Sequence, residues 1–177
     1  MLALAALALI WSQSVPGDDL LWLMIGLAGW LVMGIIWLVR LILCLEGGGR
    51  PRRWLAVAPV MAFAVLAMIV ADVPIKARFE LSRADFDAAV AQIPSDTRSS
   101  GDSSSEATGR IGSYEITSWW RARDGVILNE ANGSGMANDA GFAYLPDGPT
   151  PRLANSNFEN PQFTSLGDGW YAWTASW

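Results

Sequence analysis

Tryptophan is the residue type best placed for recognition in this chain. Trp119 and Trp120 are adjacent, and Trp170, Tyr171, Trp173 and Trp177 crowd the last eight positions. Exposed indole rings stack on sugar rings or on partner surfaces, because they combine a large apolar area with one polar tip. Strand alternation would put Tyr171, Trp173 and Trp177 on one face and Trp170 on the other. The competing reading is a packed core, or contact with a membrane interface, where tryptophan is enriched.

Carboxylates offer less. Asp85 and Asp87 fall near an expected helix start, where acids favour the cap and the dipole over general acid work. Asp139, Asp147 and Asp168 lie in turns rich in glycine or proline, where aspartate makes local hydrogen bonds. Calcium loops need regularly spaced acids, and Asn132 to Asp139 lacks that pattern. A nucleophilic serine would have only Lys76 as its base, with no supporting spacing. Gly47-Gly48-Gly49 follows no strand and precedes no GK[ST], so it reads as a hairpin and not a phosphate cradle. Histidine is absent, which removes His-based acid–base catalysis, Ser-His-Asp and Cys-His arrangements, and most zinc sites. No catalytic residue, cofactor or metal is expected. The single cysteine, Cys44, excludes a disulfide scaffold.

The elements that must carry these residues divide the chain in two. Residues 1–73 hold four acids and four bases, and 74–177 hold thirteen acids and eight bases. The net charge of −5 therefore belongs to the second part. An acidic domain has no electrostatic footprint for nucleic acid and gains little from anionic headgroups.

Residues 20–45 form an apolar run with one charge, Arg40. At ~1.5 Å per residue the run reaches ~39 Å, more than a ~30 Å hydrocarbon core. Tilt absorbs the surplus, and Arg40 lies near enough to the end to snorkel. Residues 54–71 are uncharged and just long enough to span. Pro59 can kink that helix, and Ala58/Ala62 and Ala67/Ala71 offer small residues four apart for close packing. Residues 1–19 begin with ten apolar positions, 2–11, too few to span alone. They fit a short third helix better than a signal peptide, whose basic n-region is missing. The loop 46–53 carries Arg50, Arg52 and Arg53, whereas Asp18 and Asp19 flank the other end of the first span. The positive-inside rule places 46–53 in the cytoplasm and the 74–177 domain outside.

In that domain Ile75, Ala77, Phe79 and Leu81 alternate with Lys76, Arg78 and Glu80, which predicts a half-buried strand. Ser82 reads as an N-cap with Asp85 as its capping-box partner and Leu81/Phe86 as a staple, opening a helix that Pro94 stops. Residues 95–109 read as a flexible loop. Strands follow: one carrying Gly112, Tyr114, Ile116 and Trp120 on one face, then Val126–Glu130, Gly141–Leu145, Gln162–Leu166 and Trp170–Trp177. The last two flank Gly167-Asp168-Gly169, a three-residue hairpin loop with glycine. The expected fold is a membrane α-helical hairpin with two spans and a short N-terminal helix. It carries a small α+β domain of one helix on an antiparallel sheet of about five strands.

The segments RFELSR (78–83), RIGSY (110–114), GFAYLPDGPTP (141–151) and LGDGWYAW (166–173) resemble a family of uncharacterised actinobacterial integral membrane proteins. The resemblance implies a membrane protein with a small tail domain and transfers no catalytic residues. A membrane-anchored, non-catalytic interaction module is the expected role, with the lipid bilayer and another membrane or cell-envelope protein as partners. An extracytoplasmic ligand-binder, or a carboxylate-dependent enzyme using the tryptophans, is the alternative. It requires those rings to line an open cleft beside convergent acids. A transporter is disfavoured, since few spans with one charge leave little polar pathway.

Overall fold

Long apolar side chains and the lack of a polar stripe make the segment from Leu20 a helix that is apolar all round. In the computed structural model, which describes residues 2–17, 20–46, 56–93, 109–122, 124–131, 138–150, 153 and 160–176, the chain forms two units. One comprises residues 1–14 and 19–74, the other residues 15–18 and 75–177.

The first unit is helical. Helix α1 (Leu2–Ser12) packs on α2 (Leu20–Glu46), and α3 (Val57–Val70) completes it. A Cβ on Gly26 would lie 2.5 Å from Leu9 Cγ, and one on Gly29 would lie 2.8 Å from Ala5 Cβ. Later residues of α2 thus meet earlier residues of α1, so the two run antiparallel. These glycines make the close approach; of the expected alanine pairs, Ala67 and Ala71 are exposed and Ala58 and Ala62 are half-buried. Val65 of α3 joins Ala6 and Leu9 in a small cluster flanked by Leu23, Trp30 and Met61.

Helix α2 is long and apolar enough to cross a membrane, by length and composition. Its large side chains are displayed and not buried: Leu21 is 67% exposed and Leu31 65%. Helix α3 has 14 residues, or ~21 Å, less than the 18-residue helix expected over 54–71. Trp54 and Leu55 lie outside the described residues. Pro59 stands in the first turn of α3, where its missing N–H costs no bond and no kink is required. A turn ends α3, with Ala71 N–H donating to Ala67 O (3.1 Å), Asp72 N–H to Ile69 O (3.0 Å), and Asp72 at φ 54°.

The second unit corrects the expected strand at 75–81. Those residues lie in α4 (Val73–Gln92). Period-two alternation over seven positions was a partial view of a longer helical pattern. Ile75, Phe79, Ser82 and Phe86 are buried at spacings of four, three and four, and Val90 and Ile93 pack on the same core. Ser82 is therefore a buried mid-helix residue and not an N-cap. Leu81, assigned to a staple, is 88% exposed on the opposite side of the helix.

Among the described residues six strands follow, all in antiparallel pairs: β1 (Gly109–Ile111), β2 (Tyr114–Ala122), β3 (Gly125–Glu130), β4 (Asn138–Tyr144), β5 (Gln162–Gly167) and β6 (Trp170–Ser176). The order is β1-β2-β3-β4-β6-β5. Sequence patterning missed β1, a three-residue strand with a two-residue turn at Gly112-Ser113. Strand β4 begins earlier than expected, at Asn138. Asp168 and Gly169 form a two-residue turn with φ 49° and 81°, preceded by a register shift between Ser165 and Gly167, instead of a three-residue loop. Residues 95–108, the expected flexible loop apart from Gly109, lie outside the described residues, as does Pro94.

Both sheet faces are covered. Helix α4 buries Phe79 and Phe86 against Tyr114, Ile116, Leu128, Phe142 and Trp170. On the other face Ile127, Ala143, Trp173 and Ala175 cluster with Leu153. Strands β4 and β5 both run antiparallel to β6, hence parallel to each other, and a parallel pair needs a long crossover. Residues 145–161 are that crossover, and Leu153 lies on it.

Candidate functional site

Aromatic clustering, the strongest candidate feature of the sequence, divides across the sheet. A register shift between Ile116 and Ser118 inserts Thr117 as an extra residue in β2. Beyond it the side-chain parity reverses. Trp119, opposite Leu128, joins Tyr114 and Ile116 on the helix side, while Trp120, opposite Ile127, goes to the crossover side. The expected face of Gly112, Tyr114, Ile116 and Trp120 is thus broken: Gly112 sits in a turn and Trp120 lies opposite.

Strand β6 separates its aromatics by plain alternation. Trp170 lies on the helix side; Tyr171 and Trp173 lie on the crossover side. Trp170 and Trp173 are each 1% exposed. The Trp170 Nε1–H donates to Asp87 Oδ1 at 2.9 Å, and its ring packs 5.4 Å, centroid to centroid, from both Phe79 and Phe86. The Trp173 Nε1–H donates to the Phe142 carbonyl at 3.3 Å, and its ring meets Trp120 edge to face at 6.2 Å. Tyr171 meets Phe163 in the same manner at 6.5 Å. Trp177 lies outside the described residues. The two deepest rings have their polar tips occupied and their faces packed, so they stabilise the fold and offer nothing to a ligand.

The acids do not converge either. Asp85 and Asp87 sit mid-helix and not at a helix start; Asp87 serves as the acceptor for Trp170. Asp147 occupies a turn in which Gly148 N–H donates to Leu145 O at 3.0 Å, with Pro146 and Gly148 in their favoured positions. Asp168, in the β5–β6 turn, is paired with Arg83. Asp139 lies in β4. Lys76 stands in the first turn of α4, not on a strand. Among the described residues, no three of His, Cys, Asp and Glu approach closely enough to hold a metal ion.

Three polar arrangements escaped the sequence. Ser82 Oγ lies 3.0 Å from Ser113 Oγ and accepts the Ser113 N–H at 3.1 Å, while Arg78 donates to the Ser113 hydroxyl (3.1 Å) and carbonyl (2.6 Å). Arg83 ties α4 to the β5–β6 hairpin through Asp168 and the Leu166 carbonyl (2.9 Å), and also pairs with Glu80. Glu130 is fully buried on the helix side of β3. Its parity with Val126 and Leu128 was the signal that could have placed it there. Nearby, burial pushes the Tyr114 hydroxyl far above its ordinary range; the Arg78 guanidinium over its ring, at 4.4 Å, opposes that and Glu130 adds to it.

No protein-family model, curated protein or solved structure matches this chain.

Proposed function

We propose that the chain is an integral membrane protein whose helices form a two-span hairpin over 20–45 and 54–73. In this reading it holds a non-catalytic α+β interaction module outside the cytoplasm. The observation that carries the reading is α2: a 26-residue apolar stretch, Leu21–Glu46, most of whose large side chains are exposed. Leucine and isoleucine displayed along a helix of this length are satisfied by lipid.

Trp11 and Trp22 are exposed near the turn between α1 and α2, where an interfacial belt would fall. Arg40 follows Trp22 at about 27 Å along the helix, close to the hydrocarbon thickness. A recognition role without chemistry is favoured because Trp170 and Trp173 are core residues, and Asp87 beside Trp170 is taken up by the indole N–H. The lipid bilayer is the first partner, and a membrane or cell-envelope protein the second. This role agrees with the resemblance of residues 78–83 and 166–173 to uncharacterised actinobacterial membrane proteins.

Single cysteines in a Cys44→Ser background test the topology. Asp147→Cys should react with a membrane-impermeant maleimide in intact cells, and Gly48→Cys only after permeabilisation. Reaction of both, or of neither, in intact cells would rule out the two-span hairpin.

A further inference from the structure

The two edges of the sheet are built differently. One is formed by the three-residue β1 and the part of β2 that runs on beyond it. It carries Arg110, Glu115 and Arg121, and the extra residue at Thr117 distorts it. Charge, a short strand and a bulge are the usual devices that stop an open edge from pairing with another chain. The other edge is β5, which among the described residues pairs with β6 alone. Its six residues, Gln162 to Gly167, include no charge and no proline. An edge of this kind leaves main-chain N–H and C=O groups open to an added strand.

Both ends of that edge are closed. Pro161, immediately before β5, has no N–H to give. At the far end the register shifts between Ser165 and Gly167, and Arg83 already donates to the Leu166 carbonyl at 2.9 Å. Between these limits Phe163 stands opposite Trp173 on the crossover side, half-buried, with its ring edge to face with Tyr171 at 6.5 Å. Thr164 stands opposite Ala172 on the helix side, and Ser165 is exposed.

The charge of the unit says which strand fits. Residues 74–177 carry thirteen acids and eight bases, so two copies repel one another except across an uncharged contact. Strand β5 is such a contact. Identical strands related by a two-fold axis normal to the sheet pair antiparallel and keep both sheet faces continuous. Residues opposite one another must then share a face, so the axis passes through a residue and not between two. An axis at Phe163 would bring Pro161 into the ladder, and one at Ser165 would bring in Gly167 beyond the register shift. An axis at Thr164 avoids both. It sets threonine against threonine, a favourable cross-strand pair, and makes the two Phe163 rings diagonal neighbours at about 7–8 Å, within aromatic reach. We propose that β5 is a homotypic edge, pairing antiparallel about Thr164 with β5 of a second copy and joining two six-stranded sheets into one. The contact lies wholly within the α+β unit and does not depend on how many helices cross a membrane.

The test uses the full chain with Cys44→Ser in detergent micelles. Sedimentation equilibrium should show a monomer–dimer equilibrium, which Ser165→Lys, a charge on the exposed edge, weakens by about threefold or more. Oxidation of single-cysteine variants then reads the register. Opposed residues lie about 4.5–5.5 Å apart between Cα atoms, inside the disulfide range, whereas diagonal ones fall outside it. Thr164→Cys should therefore form a disulfide-linked dimer about tenfold faster than Arg110→Cys, on the other edge, with Phe163→Cys and Ser165→Cys slower than Thr164→Cys. A chain that stays monomeric, a dimer indifferent to Ser165→Lys, or capture no faster at Thr164→Cys than at Arg110→Cys would each overturn the proposal. Fastest capture at Phe163→Cys or Ser165→Cys would overturn its register.

Discussion

Helices α2 and α4 are built to opposite rules. Helix α2 runs 27 residues with apolar side chains on every side, and leucines and isoleucines point outward along its length. Helix α4 has 20 residues, with one face of Ile75, Phe79 and Phe86 buried and the other carrying Glu80, Ala84, Asp87 and Ala88 in the open. A helix in water must hide its apolar stripe against protein, and α4 does so on the sheet. A helix in lipid has no such need, and only its backbone groups must be satisfied internally. On the proposed membrane reading, exposure of leucine is no defect in α2, while in α4 the single exposed leucine, Leu81, stands out against a charged surface.

Removing one ring from the buried face of α4 should have the largest effect. Phe86 packs within 5.0–5.8 Å, centroid to centroid, of Phe79, Tyr114, Phe142 and Trp170. Phe86→Ala should cost the α+β unit about 3–5 kcal/mol, read from denaturant unfolding of the detergent-solubilised protein. A loss under about 1 kcal/mol would mean that α4 is not the unit's main cover. In α2 the sensitive change is polarity and not size. Leu31→Lys should disfavour membrane insertion by about 2.5–3.5 kcal/mol, seen as a fall in the alkali-resistant membrane fraction. Unchanged insertion would remove the distinction between the two helices.

The smallest effect is confined to alkaline pH. Tyr114 has its pKa raised by burial, from an ordinary value of 10.0. The folded state therefore keeps a proton that the unfolded state releases. The stability linked to this group is fully present below pH ~10 and is lost as pH rises beyond it. Tyr114→Phe should flatten that part of the alkaline decline, measured as the urea midpoint between pH 8 and 11. An identical decline in the variant would assign it to other groups.

Much of the second unit was legible locally. Val126–Glu130 reads as a strand because it is β-branched and apolar beside an Asp-Gly turn, and the alternation in β6 correctly separates Trp170 from Tyr171 and Trp173. Two features misled. Ile75–Leu81 satisfies period two over a short window, and only burial along the whole of Val73–Gln92 reveals the helical period. The bulge at Thr117 leaves no mark in composition, since it arises from pairing with β3, yet it decides which side Trp119 and Trp120 take.

Composition alone determined that residues 1–73 are apolar and nearly neutral, that the acidic charge lies beyond them, and that histidine chemistry is absent. Those are sums over residue types and need no coordinates. The tertiary structure decided that the deepest tryptophans are core, that Glu130 is buried, that glycines of α2 receive α1, and that Val15 packs among residues distant in sequence. Each depends on which distant residue occupies the adjoining space, a quantity that local periodicity does not encode.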